Sequence, residues 1–564
     1  MESTNEIIVK VEDLRIAFRN SNVLNEVVHG VSFSIKSDEI LGIVGESGSG
    51  KSVTSLALMG LLPAKNTVIT GSVTYKDINL LKLSPKDWQT IRSNKIAMVF
   101  QEPMSALNPS IRCGKQVAEV LLQHRNINPK LAKKEVLELF KQVRLPDIEK
   151  IYQSYPHEIS GGQMQRVVIA MAIACKPDVL IADEPTTALD VTVQKEILQL
   201  LKTIQQETKM GMLFISHDLN VVSEVADKVL VMYQGNAVEY GTTEQVFKNP
   251  QNDYTKALLL SKPSDTERLV ELPTIHSLRN QTFKSRIVSP QARASRHREL
   301  YTKEPILEIK KLVKAYSVPQ GLFKKETIFK AVNEVSFSVY PGETVGLVGE
   351  SGCGKSTLAK AIMQLEPVSE GSIWYKGKDV TNLKGKTLKE YRKEVQLIFQ
   401  DPFASLNPKM TIGQTIVEPM QAHHILENRA ERVQRAKDLL IRVGLEPSHY
   451  NRYPHQLSGG QRQRVGIARA IAVNPKVIIC DESVSALDIS VQAQVLNLLN
   501  QLKEDFGFSY LFISHDLAVV KFMADQLLVM NKGKLEEIGD ADEIYTNPRK
   551  EYTQQLIGAI PKGI

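Results

Sequence analysis

The sequence predicts an α/β chain built from two tandem copies of one domain, each with a mostly parallel sheet. Three observations carry that prediction. A glycine-rich loop, GESGSGKS at 45–52 and GESGCGKS at 349–356, follows an apolar strand and opens a helix both times. An apolar run closing on two carboxylates, VLIADE at 179–184, returns as VIICDE at 477–482. Ser160, Asp183 and His217 each recur 298 residues later (458 − 160, 481 − 183, 515 − 217) as Ser458, Asp481 and His515. So long a period marks a duplicated domain rather than a solenoid unit. The domains are placed at about 1–260 and 304–564, with a basic linker at 261–303.

Bulk properties agree. A chain of 564 residues exceeds what one core serves, and 42% apolar with 24% charged residues is ordinary globular composition. A net charge of +7 permits contact with anionic lipid or nucleic acid without demanding it. The four cysteines form no CxxC pair, so neither a disulfide framework nor a zinc ribbon is expected. The start, MESTNEIIVKVEDL, lacks the apolar stretch of a signal peptide. The longest strictly apolar run, 167–175, falls short of the roughly 20 residues of a membrane span. The linker carries Arg279, Lys284, Arg286, Arg293, Arg296 and Arg298 without a sustained helical or strand period. It reads as a solvated tether, the other reading being contact with phospholipid or nucleic acid.

The first element of each copy is the loop. Gly45, Gly48 and Gly50, and Gly349, Gly352 and Gly354, let backbone approach a phosphate chain closely. The helix start adds free N–H groups and a positive dipole end. Lys51 and Lys355 are expected to reach the β- and γ-phosphates, and Ser52 and Ser356 to ligate Mg²⁺. Next come ISGGQMQRV at 159–167 and LSGGQRQRV at 457–465, where serine is a good helix cap and two glycines expose a second anion-binding backbone. The strands ending at Asp183–Glu184 and Asp481–Glu482 follow. Adjacent carboxylates at a buried strand end repel, and a cation relieves them, so Asp183 and Asp481 suit Mg²⁺. Glu184 and Glu482 suit general-base work on an attacking water.

The order loop, Gln101 or Gln400, SGGQ, DE and SHD resembles the ATP-binding-cassette ATPases, and the resemblance covers nearly all the chain outside the linker. It implies two P-loop NTPase cassettes, each a RecA-like α/β core with an antiparallel β subdomain and a helical subdomain. It also implies head-to-tail closure around two Mg-ATP. One site would use Gly45, Ser47, Gly48, Gly50, Lys51, Ser52, Val53, Gln101, Asp183, Glu184 and His217, with Ser458, Gly459, Gly460 and Gln461 across the interface. The other would use Gly349, Ser351, Gly352, Gly354, Lys355, Ser356, Thr357, Gln400, Asp481, Glu482 and His515, with Ser160, Gly161, Gly162 and Gln163 across it. The resemblance makes Gln101 and Gln400 both catalytic and Mg²⁺-binding, and Glu184, Glu482, His217 and His515 catalytic. Phe18 and Tyr316 stand where an aromatic stacks on adenine, and Asp190 and Asp488 where the D-loop nears the interface.

FQEPMSALNPSIR and FQDPFASLNPKMT, YPHEISGGQ and YPHQLSGGQ, and the paired tails NPQNDYTKALLL and NPRKEYTQQLIG narrow the resemblance to the fused oligopeptide/dipeptide importer ATPases, including those for glutathione and peptide antibiotics. This implies an ATPase coupled to transmembrane transport, peripheral on the cytoplasmic face of the cell (inner) membrane. Its partners would be two permease subunits, gripped near 102–115 and 401–414, and indirectly an extracellular solute-binding protein; nucleic acid is not expected. No cysteine lies between Cys175 and Cys353, so the iron–sulfur cluster of some relatives is not expected, nor is zinc. Cys353, beside a helix N-terminus, is expected to have a lowered thiol pKa. The alternatives are a soluble twin-cassette ATPase acting on ribosome or nucleic acid, and a fused sugar-importer ATPase. SHDL rather than SHDR at both switches, and an intact second phosphate loop, count against them.

Overall fold

Each copy of the glycine loop stands at the end of a fully buried strand, and a sheet grows around that strand. The computed structural model describes residues 6–560 apart from 21–22, 188, 264–266, 281, 319–326, 402 and 486. Pro402 of the expected permease contact thus lies outside the described residues. The chain divides into Met1–Leu259 and Leu260–Ile560.

In the first unit six strands lie in the order Asn236–Thr242, Lys228–Tyr233, Ile40–Val44, Gly211–Ser216, Val179–Asp183, Ile96–Val99. All neighbours are parallel except the first pair. Ile40–Val44, Val179–Asp183 and Gly211–Ser216 are buried along their whole length. That is why they read as unbroken apolar runs rather than alternating ones. A second, antiparallel sheet pairs Val23–Lys36, Ile7–Asn20, Thr67–Tyr75 and Ile78–Asn79. Its Val9, Val11 and Phe33 share one core with Ile43, Ile181 and Leu213 of the parallel sheet and with Ala57 and Leu58 of the helix Lys51–Leu58. Helices Cys113–His124, Pro129–Gln142, Ile148–Gln153 and Gly161–Ile173 form the helical part.

The second unit repeats this plan. Its six-stranded sheet runs Val395–Ile398, Val477–Asp481, Ser509–Ile513, Thr344–Val348, Gln526–Asn531, Lys534–Asp540, and its antiparallel sheet runs Thr327–Val339, Leu307–Val318, Glu370–Tyr375, Lys378–Asp379. Parallel pairing aligns strand ends: Val44 lies opposite Ser216, Ile215 opposite Asp183, and Ala182 opposite Val99. The glycine loop, Gln101, Asp183–Glu184 and His217 all follow those ends, so topology alone gathers them.

The segment 261–303 departs from the expected solvated tether. It belongs with the second unit and contains helices Ile275–Arg279 and Pro290–Leu300, the latter capped by Ser289 with proline in its first turn. Leu272 joins the second core, and its backbone bonds both ends of the Asn497 amide at 2.9 and 2.8 Å. Arg268 pairs with Asp542 at 2.7 Å and donates to the carbonyls of Phe522 and Ala524. Arg293 pairs with Asp540 at 3.0 Å, and Arg296 with Asp525 at 3.1 Å. Two of the six basic residues that made the segment look solvated, Arg293 and Arg296, find carboxylates on the cassette, which a charge pattern read in one dimension cannot reveal. Arg279, Lys284, Arg286 and Arg298 stay exposed. Among the described residues no helix is long and apolar enough to cross a membrane.

Candidate nucleotide site

The phosphate loops are folded for close backbone approach. Gly48 and Gly50 have φ of 77° and 98°, and Gly352 and Gly354 78° and 111°. A Cβ on Gly45 would sit 2.2 Å from the Met232 carbonyl oxygen, and one on Gly349 2.2 Å from that of Met530. Only glycine fits there, and the loop is a cradle with its wall already in place. The Lys51 ammonium is buried over the loop, donating to the carbonyls of Gly45 at 2.7 Å and Glu46 at 2.9 Å. Lys355 repeats this on Gly349 and Glu350 at 2.7 and 2.9 Å.

Beside each lysine lies a set of hard oxygen donors. Ser52 Oγ is 3.2 Å from Asp183 Oδ1, and Ser356 Oγ is 3.0 Å from Asp481 Oδ1. Burial raises both aspartates above the usual carboxylate range, more than their hydroxyl partners lower them. Hydroxyl, carboxylate and amide oxygens suit Mg²⁺. Ser55, one helical turn after Ser52, donates to the other Asp183 oxygen at 3.1 Å; the second copy has Ala359 there, so Asp481 lacks this partner. Sequence reading missed Ser55, although its i+3 spacing from Ser52 was a usable signal.

The adjacent glutamates collect the remaining predicted residues. Glu184 Oε2 accepts from Gln101 Nε2 at 3.0 Å and Thr187 Oγ1 at 2.8 Å, and lies 3.0 Å from His217 Nδ1. Burial pushes this carboxyl up, but His217, Thr187 and Lys51 outweigh it and hold it at about 2. Glu482 Oε2 accepts from Gln400 Nε2 at 2.8 Å, with His515 Nδ1 at 3.5 Å and Lys355 Nζ 3.8 Å from Oε1. Burial again raises it, and His515 and Lys355 again bring it below its ordinary value. Ser485, the counterpart of Thr187, donates to the Glu482 carbonyl instead. Both glutamates adopt left-handed backbone, φ 48° and 45°. That conformation is uncommon for a side chain of this size and turns the carboxylate off the strand end. No sequence pattern announced it.

The SGGQ segments are capping boxes at the starts of Gly161–Ile173 and Gly459–Ile471. Ser160 and Ser458 accept the amides of Gln163 and Gln461, whose side chains accept the serine amides in return. Phe18 is half-buried on the first core, whereas Tyr316 is exposed with Lys314 Nζ 4.8 Å from its ring centroid. Asp190 caps Val191–Thr208 through the Val193 amide. Cys353 corrects the expectation of an activated thiol: it is buried, and burial raises its pKa more than Lys355 lowers it.

With this geometry in view, likeness to known proteins is informative. The profile of the ABC transporter family matches residues 28–187 and 332–485. That of the oligopeptide/dipeptide transporter C-terminal region matches 238–284 and 537–563. The chain is 45% identical over 564 residues to the glutathione import ATP-binding protein GsiA of Pectobacterium atrosepticum, covering 98% of this chain and 89% of the relative. It is 46% identical over 567 residues to GsiA of Escherichia coli O157:H7, with the same coverage. These matches favour the importer ATPase over the ribosomal and sugar-importer alternatives. The chain belongs to the ATP-hydrolysing subunits of ABC transporters, as a twin-cassette member of their oligopeptide/dipeptide importer branch.

Proposed function

We propose that both phosphate-loop sites bind and hydrolyse Mg-ATP, and that turnover energises import of peptides or peptide-like solutes, glutathione among them, through two membrane permease subunits. One observation carries the reading: in both cassettes a glutamine and a histidine converge on one ionised glutamate beside a Ser–Asp oxygen pair. Lys51 and Lys355 neutralise the β- and γ-phosphates. Ser52 with Asp183, and Ser356 with Asp481, would hold Mg²⁺, with Gln101 and Gln400 completing each set, and the cation would supply charge neutralisation at the phosphate oxygens. Glu184 and Glu482 orient and polarise the attacking water, and His217 and His515 reach the γ-phosphate. Phe18 and Tyr316 carry the adenines.

Each SGGQ turn serves the nucleotide of the other cassette. The paired glycines support this reading and provide its test. A Cβ on Gly162 or Gly460 would lie 2.7 or 2.5 Å from Val193 or Val491, so those glycines serve packing. A Cβ on Gly459 meets nothing within 4 Å, and one on Gly161 only Leu189 at 3.8 Å. Alanine there leaves the cassette intact and even favours its helix. Gly161→Ala and Gly459→Ala are expected to keep the wild-type melting curve yet lower turnover at least about tenfold, because the added methyl holds the phosphate away from the backbone N–H groups that glycine lets it approach. Wild-type turnover in both variants would refute service in trans.

The permeases engage 102–115 and 401–414, at the cytoplasmic face of the inner membrane. Met104 and Phe403 are each 56% exposed there. Met104→Asp together with Phe403→Asp should abolish solute uptake in cells while isolated ATPase activity persists. Undiminished uptake would place the contact elsewhere.

A further inference from the structure

Each cassette ends in a tail whose tyrosine reaches back to the phosphate loop. Tyr254, on the helix Asp253–Leu260, accepts the Glu46 amide proton at 3.2 Å; Tyr552, on Glu551–Gly558, accepts that of Glu350 at 3.1 Å. The two tyrosines are 298 residues apart (552 − 254), so the repeat supplies the contact twice. The peptide unit concerned is also the one each lysine grips. Lys51 binds the Gly45 carbonyl and Tyr254 the Glu46 N–H, and these are opposite ends of a single peptide group. A trans peptide is planar with its C=O and N–H pointing apart, so holding both ends fixes the plane. Lys355 and Tyr552 hold the peptide of Gly349 and Glu350 in the same way.

The tail is itself anchored. Glu239 accepts the amides of Gln251 and Asn252 at 2.7 and 3.2 Å, and Asn252 Oδ1 accepts that of Tyr254 at 2.8 Å. Glu537 accepts the amides of Arg549 and Lys550 at 2.9 and 3.3 Å. A continuous set of contacts thus runs from the last strand of each sheet through the tail to the loop lysine. The copies differ here: the Tyr254 ring packs at a tilt against Tyr233 with centroids 4.2 Å apart, where the second cassette has Asn531.

We infer that Tyr254 and Tyr552 are positioning residues for ATP, holding the first peptide of each phosphate loop in the orientation that receives the phosphates. The inference rests on the reading of these loops as the ATP sites. On binding, the lysine must leave the Gly45 or Gly349 carbonyl to reach the phosphates. The tyrosine then keeps the peptide from turning, so its loss weakens nucleotide binding more than the chemical step. It also gives the C-terminal region a task inside the ATPase.

The test uses the full chain and the fluorescent nucleotide mant-ATP with Mg²⁺. Tyr254→Phe is placed in a Lys355→Ala background and Tyr552→Phe in Lys51→Ala, so that one site is read at a time. Phenylalanine keeps the ring packing and removes only the hydroxyl. Loss of one hydrogen bond should raise Kd about three- to tenfold. In the otherwise wild-type chain each Tyr→Phe variant should raise KM for ATP while kcat stays within about twofold and the nucleotide-free melting temperature holds. Unchanged Kd in both variants, or a fall in kcat that follows a fall in melting temperature, overturns the inference. If the Lys51→Ala/Lys355→Ala double variant binds mant-ATP as wild type does, the phosphate-loop reading falls, and this inference with it.

Discussion

Glu184→Gln and Glu482→Gln, introduced separately into the full chain, should each lower ATP turnover by about 100-fold, the scale of a lost general base. Glutamine keeps the size of the side chain but loses the charge. Two or three donors converge on each carboxylate: Gln101, Thr187 and His217 on the first, Gln400 and His515 on the second. A neutral amide would present N–H groups to some of those donors, so the constellation that aims the water would also relax. Each glutamate has its own glutamine, histidine and Ser–Asp pair, so two hydrolysing sites are expected rather than one active and one silent. Were the sites independent, losing one would leave about half the rate; under the proposed head-to-tail closure each would depend on the other. Steady-state phosphate release measures both variants. Turnover near wild type in either one would mean that its site does not carry hydrolysis, and a half-rate in both would dismiss the coupling.

How much of this was legible beforehand depended on whether the determining physics was local. A phosphate loop is made by consecutive residues, so Gly45–Ser52 and its repeat could be read directly. Fully buried strands betray themselves as apolar runs, whereas the meeting of Gln101, Asp183, Glu184 and His217 was implied by the family resemblance rather than by the runs themselves. What stayed hidden was tertiary. Thr187 on Glu184 is an ordinary hydroxyl in sequence, distinguished only by what folding places opposite it. Tyr254 and Glu46 are 208 residues apart, and nothing in NDYTKALLL says that its hydroxyl meets a loop amide. Cys353 was misjudged because the helix N-terminus is visible in sequence while the burial that outweighs it is not. The linker failed for the same reason: a run of arginines reads as solvated until its carboxylate partners are known.

Those partners give the linker a measurable energetic role. Asp525 accepts the Thr344 amide at 2.9 Å and pairs with Arg296, with Lys503 Nζ at 3.7 Å and His297 Nε2 at 3.8 Å. It is 8% exposed, whereas Asp227, its counterpart 298 residues earlier, accepts the Ile40 amide at 2.8 Å yet remains exposed. The first cassette offers a partial comparison, with Gln205 standing where the second has Lys503. The linker covers one aspartate with Arg296 and His297, and among the described residues no equivalent segment docks on Asp227. Burial opposes ionisation of Asp525, but His297, Lys503 and Arg296 outweigh it and hold the carboxyl far below its ordinary value of 3.8. A lowered carboxylate pKa gives stability that is fully present above that ordinary value and is lost as pH falls below it. Asp525→Asn keeps an acceptor for Thr344 but strands the nearly buried Lys503. It should therefore destabilise the second cassette by about 3–5 kcal/mol near neutral pH, the usual consequence of breaking a buried charge pair. Asp227→Asn should cost no more than about 1 kcal/mol, since an exposed charge is screened. Denaturant unfolding, with site-specific probes in each cassette, separates the two. Equal small losses would show that the linker does not seal Asp525, and that its arginines lie on the surface as the charge pattern first suggested.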